Sequence, residues 1–225
     1  MTTASIDFGV PPEDREVTGA LVRPADAWCL YVFAHGAGAG MEHDFMTDVS
    51  RRLAGRGVAT FRFNFPYMME ERRRPPNPAR TLVATVRAAV ETAGEAAPEL
   101  PLLAGGKSMG GRMTSTAQAQ ATLPDVLGLA FFGFPLHPPG KESTKRADHL
   151  ADVGIPMLFL QGTRDKLASL DLLRTVLEDL EPAPDLHVVD GADHGFHVLK
   201  RSGRTDGEVR DEICDAFAAW ARALI

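Results

Sequence analysis

The amino-acid sequence predicts an α/β fold, in which a mostly parallel central sheet is covered by helices on both faces. Short apolar runs alternate along the chain with segments of helical periodicity, as in sheets built from βαβ units. The run Val126–Phe134 is apolar at nearly every position, which is typical of a central parallel strand. The 225 residues contain no repeat, low-complexity run or linker, so they predict a single domain spanning residues 1–225.

The strands are predicted from apolar runs that end in glycine or polar turn residues. An N-terminal piece around Arg15–Arg23 is expected to add edge strands to the sheet. The other strands are predicted at residues 28–34, 58–65, 100–104, 126–134, 155–162 and 186–190.

The helices are predicted from apolar residues repeating every three or four positions. Residues 44–56, for example, place Phe45, Val49 and Leu53 on one face. The last helix begins with a capping box formed by Thr205 and Glu208. The remaining helices are predicted at residues 79–93, 112–122, 145–151 and 169–180.

The segment Gly106–Gly110 has the G-x-S-x-G pattern of a nucleophile elbow, with Ser108 at its centre. An apolar strand precedes it and a helix-permissive stretch follows, which is the context that this pattern needs. A serine hydroxyl is a poor nucleophile, so the fold must present it clear of the backbone and within reach of a base. No other serine has glycine at both the −2 and +2 positions.

Two residues downstream can complete the chemistry of Ser108 in the chain order serine, acid, histidine. Asp165 follows the apolar strand ending at Gly162, and His194 lies on the loop after the next strand. Because the carboxyl ends of parallel strands meet at one edge of the sheet, we expect these side chains to meet there. His194 is predicted to be the base, and Asp165 the group that orients it. His197 is an alternative base, but it begins the following segment and is interpreted as a neighbouring polar or surface histidine.

A glycine-rich loop, His35–Gly40, follows the strand at residues 28–34 and can aim backbone amides at an oxyanion. The backbone N–H groups of Ala37 and Met109 are the predicted donors. The glycines could instead cradle a phosphate, but the loop matches neither the G-x-x-x-x-G-K-[ST] order nor G-x-G-x-x-G with a suitably placed acid. The sequence therefore argues against nucleotide binding.

With these motifs, the chain resembles the α/β-hydrolase superfamily over nearly its whole length. More narrowly it is similar to the dienelactone-hydrolase-like branch, and to a bacterial family whose eukaryotic members occur in a histone-acetyltransferase complex and in testis. The resemblance implies an α/β-hydrolase fold. Dienelactone hydrolases proper use a cysteine nucleophile, so the serine found here argues against dienelactone itself as the substrate. The segments that carry the resemblance are Phe33–Gly38, Arg62–Tyr67, Gly106–Arg112, Phe134–Gly140, Gln161–Asp165 and Asp193–His194.

Two insertions, residues 66–78 and 135–144, are expected to frame the pocket at the carboxyl edge of the sheet. Neither is long enough for a large lid, so we expect a minimal lid and an open or shallow site. His137 precedes Asp165, which breaks the expected order for a base, and it is interpreted as pocket wall. The predicted substrate-binding residues are Gly36, Tyr67, Lys107, Leu136 and His137.

The basic residues Lys107, Arg112 and Arg72–Arg74 suggest the hypothesis that the substrate is anionic. The competing interpretation is that Arg72–Arg74 form a solvated charge run balanced by Glu70 and Glu71. The sequence favours this second interpretation.

Composition and charge exclude several classes of function. A net charge of −6 argues against nucleic-acid binding through a basic face. Cys29 and Cys214 provide no disulfide framework, and no apolar stretch is long enough for a membrane span. The N-terminus lacks the pattern of a signal peptide, so a cytoplasmic location is expected.

No metal and no cofactor are predicted, because His35, His43 and Asp44 lack the H-E-x-x-H spacing. The predicted function is that of a serine hydrolase cleaving carboxylic esters or thioesters of small to medium substrates through an acyl-enzyme. A hydrolase-fold interaction module with little or no activity is the alternative, and acyl transfer to another acceptor cannot be separated from hydrolysis. The predicted partner is a small-molecule ester or thioester, and a homodimer is compatible with the sequence.

Overall fold

A computed structural model describes residues 1–70 and 75–225 of the chain. Within this part, eight strands form one sheet in the spatial order first, second, fourth, third, fifth, sixth, seventh and eighth. The strands are β1 (Thr2–Val10), β2 (Arg15–Arg23), β3 (Cys29–Ala34), β4 (Val58–Phe63), β5 (Leu102–Lys107), β6 (Val126–Phe132), β7 (Met157–Gly162) and β8 (Asp185–Val189). Neighbours from β4 to β8 pair in parallel, whereas β1 and β2 form an antiparallel hairpin and β2 pairs antiparallel with β4. The predicted mostly parallel sheet is confirmed.

Helices cover both faces of this sheet, as predicted. The helices are α1 (Asp44–Ala54), α2 (Ala79–Ala96), α3 (Met109–Gln120), α4 (Leu170–Glu178) and α5 (Asp206–Leu224), with 3-10 turns at Pro66–Met68, Lys145–Asp152 and Lys200–Ser202. Two apolar clusters lie on opposite faces: α1 and α5 contribute to one cluster, and α2, α3 and α4 contribute to the other. No helix among the described residues combines the length and apolar composition needed to cross a membrane.

The bounds of most elements differ from the prediction by one to three residues, and the predicted helix at residues 145–151 forms as the 3-10 segment Lys145–Asp152. Two differences have a clear physical reason. Strand β1 lacks a fully apolar face and is mostly exposed, so its pairing with β2 rather than its hydrophobicity defines it. Helix α3 begins at Met109, three residues before the predicted Arg112, because the turn at Ser108 leads directly into the helix. The predicted capping box at Thr205 and Glu208 is confirmed.

The topology brings three loops to one edge of the sheet. Ser108 follows β5 directly, Asp165 lies just beyond β7, and His194 lies just beyond β8. Because β5, β7 and β8 run in the same direction, their carboxyl ends face the same side.

Candidate active site

Ser108 occupies a strained turn between β5 and α3. Its backbone adopts φ 52° and ψ −116°, a conformation that residues with a Cβ rarely take. The turn lies so close to β3 that a Cβ at Gly106 or at Gly110 would collide with the backbone oxygen of Ala34. Glycine at both positions therefore lets the turn approach the sheet and hold the Ser108 hydroxyl outward.

The Ser108 hydroxyl is hydrogen-bonded to His194. The Oγ–Nε2 distance is 2.8 Å, and His194 Nδ1 lies 2.6 Å from Asp165 Oδ2. A carboxylate can only accept, so Nδ1 carries the proton and Nε2 is left to accept one from the serine. The structure thus brings together the three residues that the sequence analysis selected, in the order that a proton transfer from serine to histidine requires.

Asp165 is held in place by three donors. Its Oδ2 accepts hydrogen bonds from His194 and from Gln161 Nε2, each at 2.6 Å, and its Oδ1 accepts from the Leu167 N–H at 2.7 Å. The Gln161 Oε1 in turn accepts from the Phe134 N–H at 3.0 Å. Sequence reasoning did not single out Gln161, although a polar side chain near the end of an otherwise apolar strand was a visible signal.

The electrostatic environment keeps His194 ready to accept a proton. Burial lowers the pKa of His194 below its ordinary value, and the positive charge of Lys107 acts in the same direction. The hydrogen bond to Asp165 and the charge of Asp193 oppose this effect. The net lowering favours the neutral imidazole, which is the form that can act as a base.

The predicted oxyanion donors are two backbone N–H groups, those of Ala37 and Met109. Met109 is the first residue of α3, so its N–H has no acceptor within the helix. Ala37 lies in the glycine-rich loop and lines the same cavity as Ser108. Within residues 1–70 and 75–225, neither N–H is paired with a hydrogen-bond acceptor. Their role in catalysis remains a prediction.

His35 anchors the start of the glycine-rich loop. Its Nε2 accepts from the Phe65 N–H at 3.1 Å, so its Nδ1 carries the proton and donates to the Gly36 carbonyl at 2.8 Å. Burial lowers the pKa of His35 to about 4, which keeps this neutral tautomer at physiological pH. His35 is therefore a structural histidine that fixes the loop carrying Ala37.

The segment Arg62–Tyr67 supports the same loop from β4. Arg62 donates to the Met41 carbonyl, and Asn64 Oδ1 accepts from the Met41 N–H at 2.9 Å. The Tyr67 hydroxyl accepts from the Gly38 N–H at 3.3 Å. These contacts give a structural role to a segment that contributed to the family resemblance.

A cavity of about 370 Å³ opens beside Ser108. Its apolar wall comes largely from Phe45 and Met46 of α1 and from Leu167. Two basic side chains, His43 and Arg210, also line it. The sequence analysis did not predict that α1 and α5 contribute to the pocket, because nothing in the local pattern shows that these two helices meet beside the elbow.

The predicted substrate-binding residues divide into two groups. Gly36 and Lys107 line this cavity. Tyr67, Leu136 and His137 are buried, and none of the three is among its lining residues. Tyr67 supports the glycine-rich loop, Leu136 packs in the apolar core, and His137 hydrogen-bonds the Pro138 carbonyl. Substrate contact by these three residues stays a prediction.

The remaining candidates have separate locations. His197 is exposed and pairs with Asp206 at 2.9 Å, away from Ser108. Arg112 follows the elbow but does not line the cavity. The anionic-substrate hypothesis also invoked Arg72–Arg74, which lie outside the described residues. Among the described residues, no group of three or more histidine, cysteine, aspartate or glutamate side chains is arranged to hold a metal ion.

Comparison with known proteins agrees with this architecture. Residues 28–222 match the family described as alpha/beta hydrolase domain. A dienelactone hydrolase from Anabaena variabilis is 19% identical, with a TM-score of 0.80 and coverage of 100% of this chain and 98% of that one. The esterase domain of a Rhodothermus marinus protein is 18% identical, with a TM-score of 0.74 and 99% coverage of both chains. An α/β serine hydrolase without a lid, from Xanthomonas campestris, is 21% identical, with a TM-score of 0.71 and coverage of 98% and 95%.

The family match covers most of the chain, and the structural matches extend over its whole length. They confirm the predicted α/β-hydrolase fold. The chain therefore belongs to the family of alpha/beta hydrolase domains.

Proposed function

We propose that this protein is a serine hydrolase that cleaves carboxylic esters or thioesters through an acyl-enzyme on Ser108. The observation that carries the proposal is the continuous hydrogen-bonded chain from Ser108 Oγ through His194 to Asp165, with distances of 2.8 and 2.6 Å. The strained conformation of Ser108 and the adjoining cavity add to it. The fold similarity to an esterase domain and to serine hydrolases supports the same class of reaction.

In the acylation step, Ser108 Oγ attacks the acyl carbon while His194 Nε2 accepts the hydroxyl proton. Asp165 holds the imidazole in the tautomer that can accept and stabilises the imidazolium that forms. The tetrahedral intermediate then collapses, the bond to the leaving group breaks, and His194 returns its proton to the leaving oxygen or sulfur. The acyl group remains on Ser108.

The negative charge of the intermediate develops on the former carbonyl oxygen. The Ala37 and Met109 N–H groups would donate to that oxygen: Ala37 lines the Ser108 cavity, Met109 directly follows Ser108, and neither N–H has another acceptor among the described residues. Loss of one such donor typically costs about 100- to 1000-fold in kcat. The supports at His35 and Tyr67 matter because they fix the loop that carries Ala37.

In the deacylation step, His194 takes a proton from water and the hydroxide attacks the acyl carbon. The proton then returns to Ser108 Oγ as the ester bond breaks. A cavity of about 370 Å³ lies at the small end of the range for ligand sites, which favours a small to medium acyl group. Its aromatic and aliphatic walls favour an apolar acyl chain.

The test is pre-steady-state hydrolysis of a panel of p-nitrophenyl esters and acyl thioesters of increasing acyl length. We expect a burst of leaving group close to one equivalent per protein, followed by slower turnover as the acyl-enzyme is hydrolysed. Ser108→Ala and His194→Ala should abolish both phases without unfolding the protein.

His197→Ala is the matched control, because that histidine is close in sequence but pairs with Asp206. It should keep the burst and the turnover. Wild-type activity in folded Ser108→Ala would contradict the proposal. A folded wild-type protein that is inert toward the whole panel would instead favour the interaction module.

A further inference from the structure

The side chain of Lys107 connects the elbow to the loop of His194. Lys107 is the last residue of β5 and directly precedes Ser108. Its Nζ donates to the backbone carbonyl of His194 at 2.6 Å. One side chain therefore links the backbone of the candidate nucleophile to the backbone of the candidate base.

The ammonium group of Lys107 lies beside two aromatic rings. Its Nζ is 5.6 Å from the ring centroid of Phe45 and 5.6 Å from that of Phe196. The two rings are nearly parallel, with an interplanar angle of 17°. Phe45 belongs to α1 and Phe196 to the loop of His194, so the cation also joins these elements through cation–π contacts.

Gly133 leaves the space that this arrangement needs. It follows β6 with φ 72°, and a Cβ at this position would lie 3.1 Å from Lys107 Nζ and 3.4 Å from the imidazole of His194. A larger residue would therefore press on both groups at once. The absence of a side chain at Gly133 allows the amine and the imidazole to occupy adjoining space.

His194 consequently has two anchors of different kinds. Asp165 fixes the imidazole ring through Nδ1, and Lys107 fixes the backbone from which the ring extends. We infer that Lys107 is a positioning residue that ties the backbone of His194 to the turn carrying Ser108. As a role in catalysis, this inference rests on the proposed function.

The charge of Lys107 has a second effect on His194. Burial lowers the pKa of Lys107 to about 8, while the charges of Asp165 and Asp193 oppose this lowering, so the amine is mostly protonated at neutral pH. Its positive charge lowers the pKa of His194, whereas Asp165 and Asp193 raise it. His43 and Arg210 are further basic side chains that line the same cavity, and a substitution of Lys107 alone leaves these two residues unsubstituted.

The experiment compares Lys107→Met, which loses both the donor and the charge, with Lys107→Arg, which keeps both. Lys200→Met is the matched control, because Lys200 is exposed and lies outside the site. Two readouts are measured: kcat and KM for a neutral p-nitrophenyl ester across pH, and the titration of the His194 imidazole by NMR. His194→Asn assigns the resonance.

We expect Lys107→Met to lower kcat by about 10- to 100-fold with little change in KM, because a small displacement of the base affects the chemical step. Loss of the positive charge should raise the pKa of His194, so its NMR titration and the acidic limb of kcat/KM should both move to higher pH. Lys107→Arg should restore most of kcat and the original titration, and Lys200→Met should match the wild type.

An unchanged kcat and an unchanged His194 titration in folded Lys107→Met would overturn the inference. So would a loss confined to KM, which would mean that Lys107 contacts the substrate. If Lys107→Met does not fold, Lys107→Arg is the deciding variant. A near-wild-type kcat supports the positioning role, and a folded but inactive protein contradicts it. The NMR titration needs no turnover. A wild-type protein that is inert toward esters would contradict the proposed function, but the titration would still test whether Lys107 acts on His194.

Discussion

Two serine–histidine pairs are hydrogen-bonded in the described part of this molecule, at almost the same distance. Ser108 Oγ lies 2.8 Å from His194 Nε2, and Ser115 Oγ lies 2.7 Å from His149 Nε2. Both serines follow β5, one at the elbow and the other within α3. By distance alone, the two pairs could not be told apart.

The surroundings of the two serines differ. Ser108 lies in a strained turn beside the cavity, and its hydroxyl is hydrogen-bonded only to His194 among the described residues. Ser115 is fully buried in regular helix, and its hydroxyl donates to the Arg112 carbonyl at 3.0 Å. The Ser115 oxygen therefore has both a backbone partner and an imidazole partner in a buried position, and no substrate can approach it.

The two histidines differ in their third partner. His194 is oriented by a buried carboxylate, whereas no carboxylate in the described residues is hydrogen-bonded to His149. Burial and the charge of Arg112 lower the pKa of His149 to about 4, although Asp148 and Asp152 act in the opposite direction. The comparison shows that a short O–N distance does not by itself identify a nucleophile. A nucleophile also needs a hydroxyl proton that can pass to the histidine, an acid that orients this histidine, and access for the substrate.

Replacing each serine in turn gives the largest expected effect. Ser108→Ala should lower kcat for an ester by about 10⁴-fold or more, because it removes the nucleophile. Ser115→Ala should keep kcat close to the wild type, since it removes the hydrogen bonds to the Arg112 carbonyl and to His149 but no group of the proposed active site. Steady-state kinetics on both folded variants checks this. Comparable losses of kcat in the two variants would contradict the distinction between Ser108 and Ser115.

The second-largest effect is expected from the carboxylate that orients His194, which has no counterpart at His149 among the described residues. Asp165→Asn should lower kcat by about 10³- to 10⁴-fold, because an amide at this position allows the wrong imidazole tautomer. Asp148→Asn, near His149 but exposed, should leave kcat unchanged. Turnover measured on both variants tests the point. An active Asp165→Asn would mean that Asp165 only supports the fold.

The strained turn gives a smaller effect. Gly106→Ala adds a Cβ that collides with the Ala34 backbone oxygen, so the elbow must shift. We expect a loss of about 10- to 100-fold in kcat and a lower Tm. Gly94→Ala in α2 is the control, because its added Cβ meets nothing closer than 3.9 Å. Its free energy of unfolding should rise by about 0.5–1 kcal/mol, with kcat unchanged. Equal kcat in both variants would show that the turn tolerates displacement.

The pH dependence gives the smallest effect. Protonation inactivates His194, and its pKa is lowered by burial, so kcat/KM should hold below pH ~6.5 and fall only at more acidic pH. His149→Gln should leave this acidic limb in place, although the pKa of His149 is also lowered. A shift of the acidic limb of kcat/KM in His149→Gln would contradict the assignment of His194 as the base.

The parts of this site that were predictable from sequence depend on short-range patterns. The G-x-S-x-G segment, the glycine-rich loop and the strand ends before Asp165 and His194 are readable because turns and strand termini have local signatures. Chain order and parallel topology then bring them to one edge of the sheet. The alternation of strands and helices predicted the fold on the same basis.

The features that were missed depend on packing between distant segments. The contact of Lys107 with the His194 carbonyl and the position of Arg210 in the cavity wall have no local pattern. The polarity of Gln161 stands out in its strand, but it does not show that the side chain bonds Asp165. The pair formed by Ser115 and His149 likewise appears only when α3 packs against residues 145–152. Such contacts follow from the relative placement of elements, which residue periodicity does not specify.

The most direct test of this account is the site of labelling by a fluorophosphonate, mapped by tandem mass spectrometry. We expect one adduct per chain, on Ser108, which is lost in His194→Ala and kept in His149→Gln. An adduct on Ser115, or a folded wild-type protein that takes up no label, would contradict it.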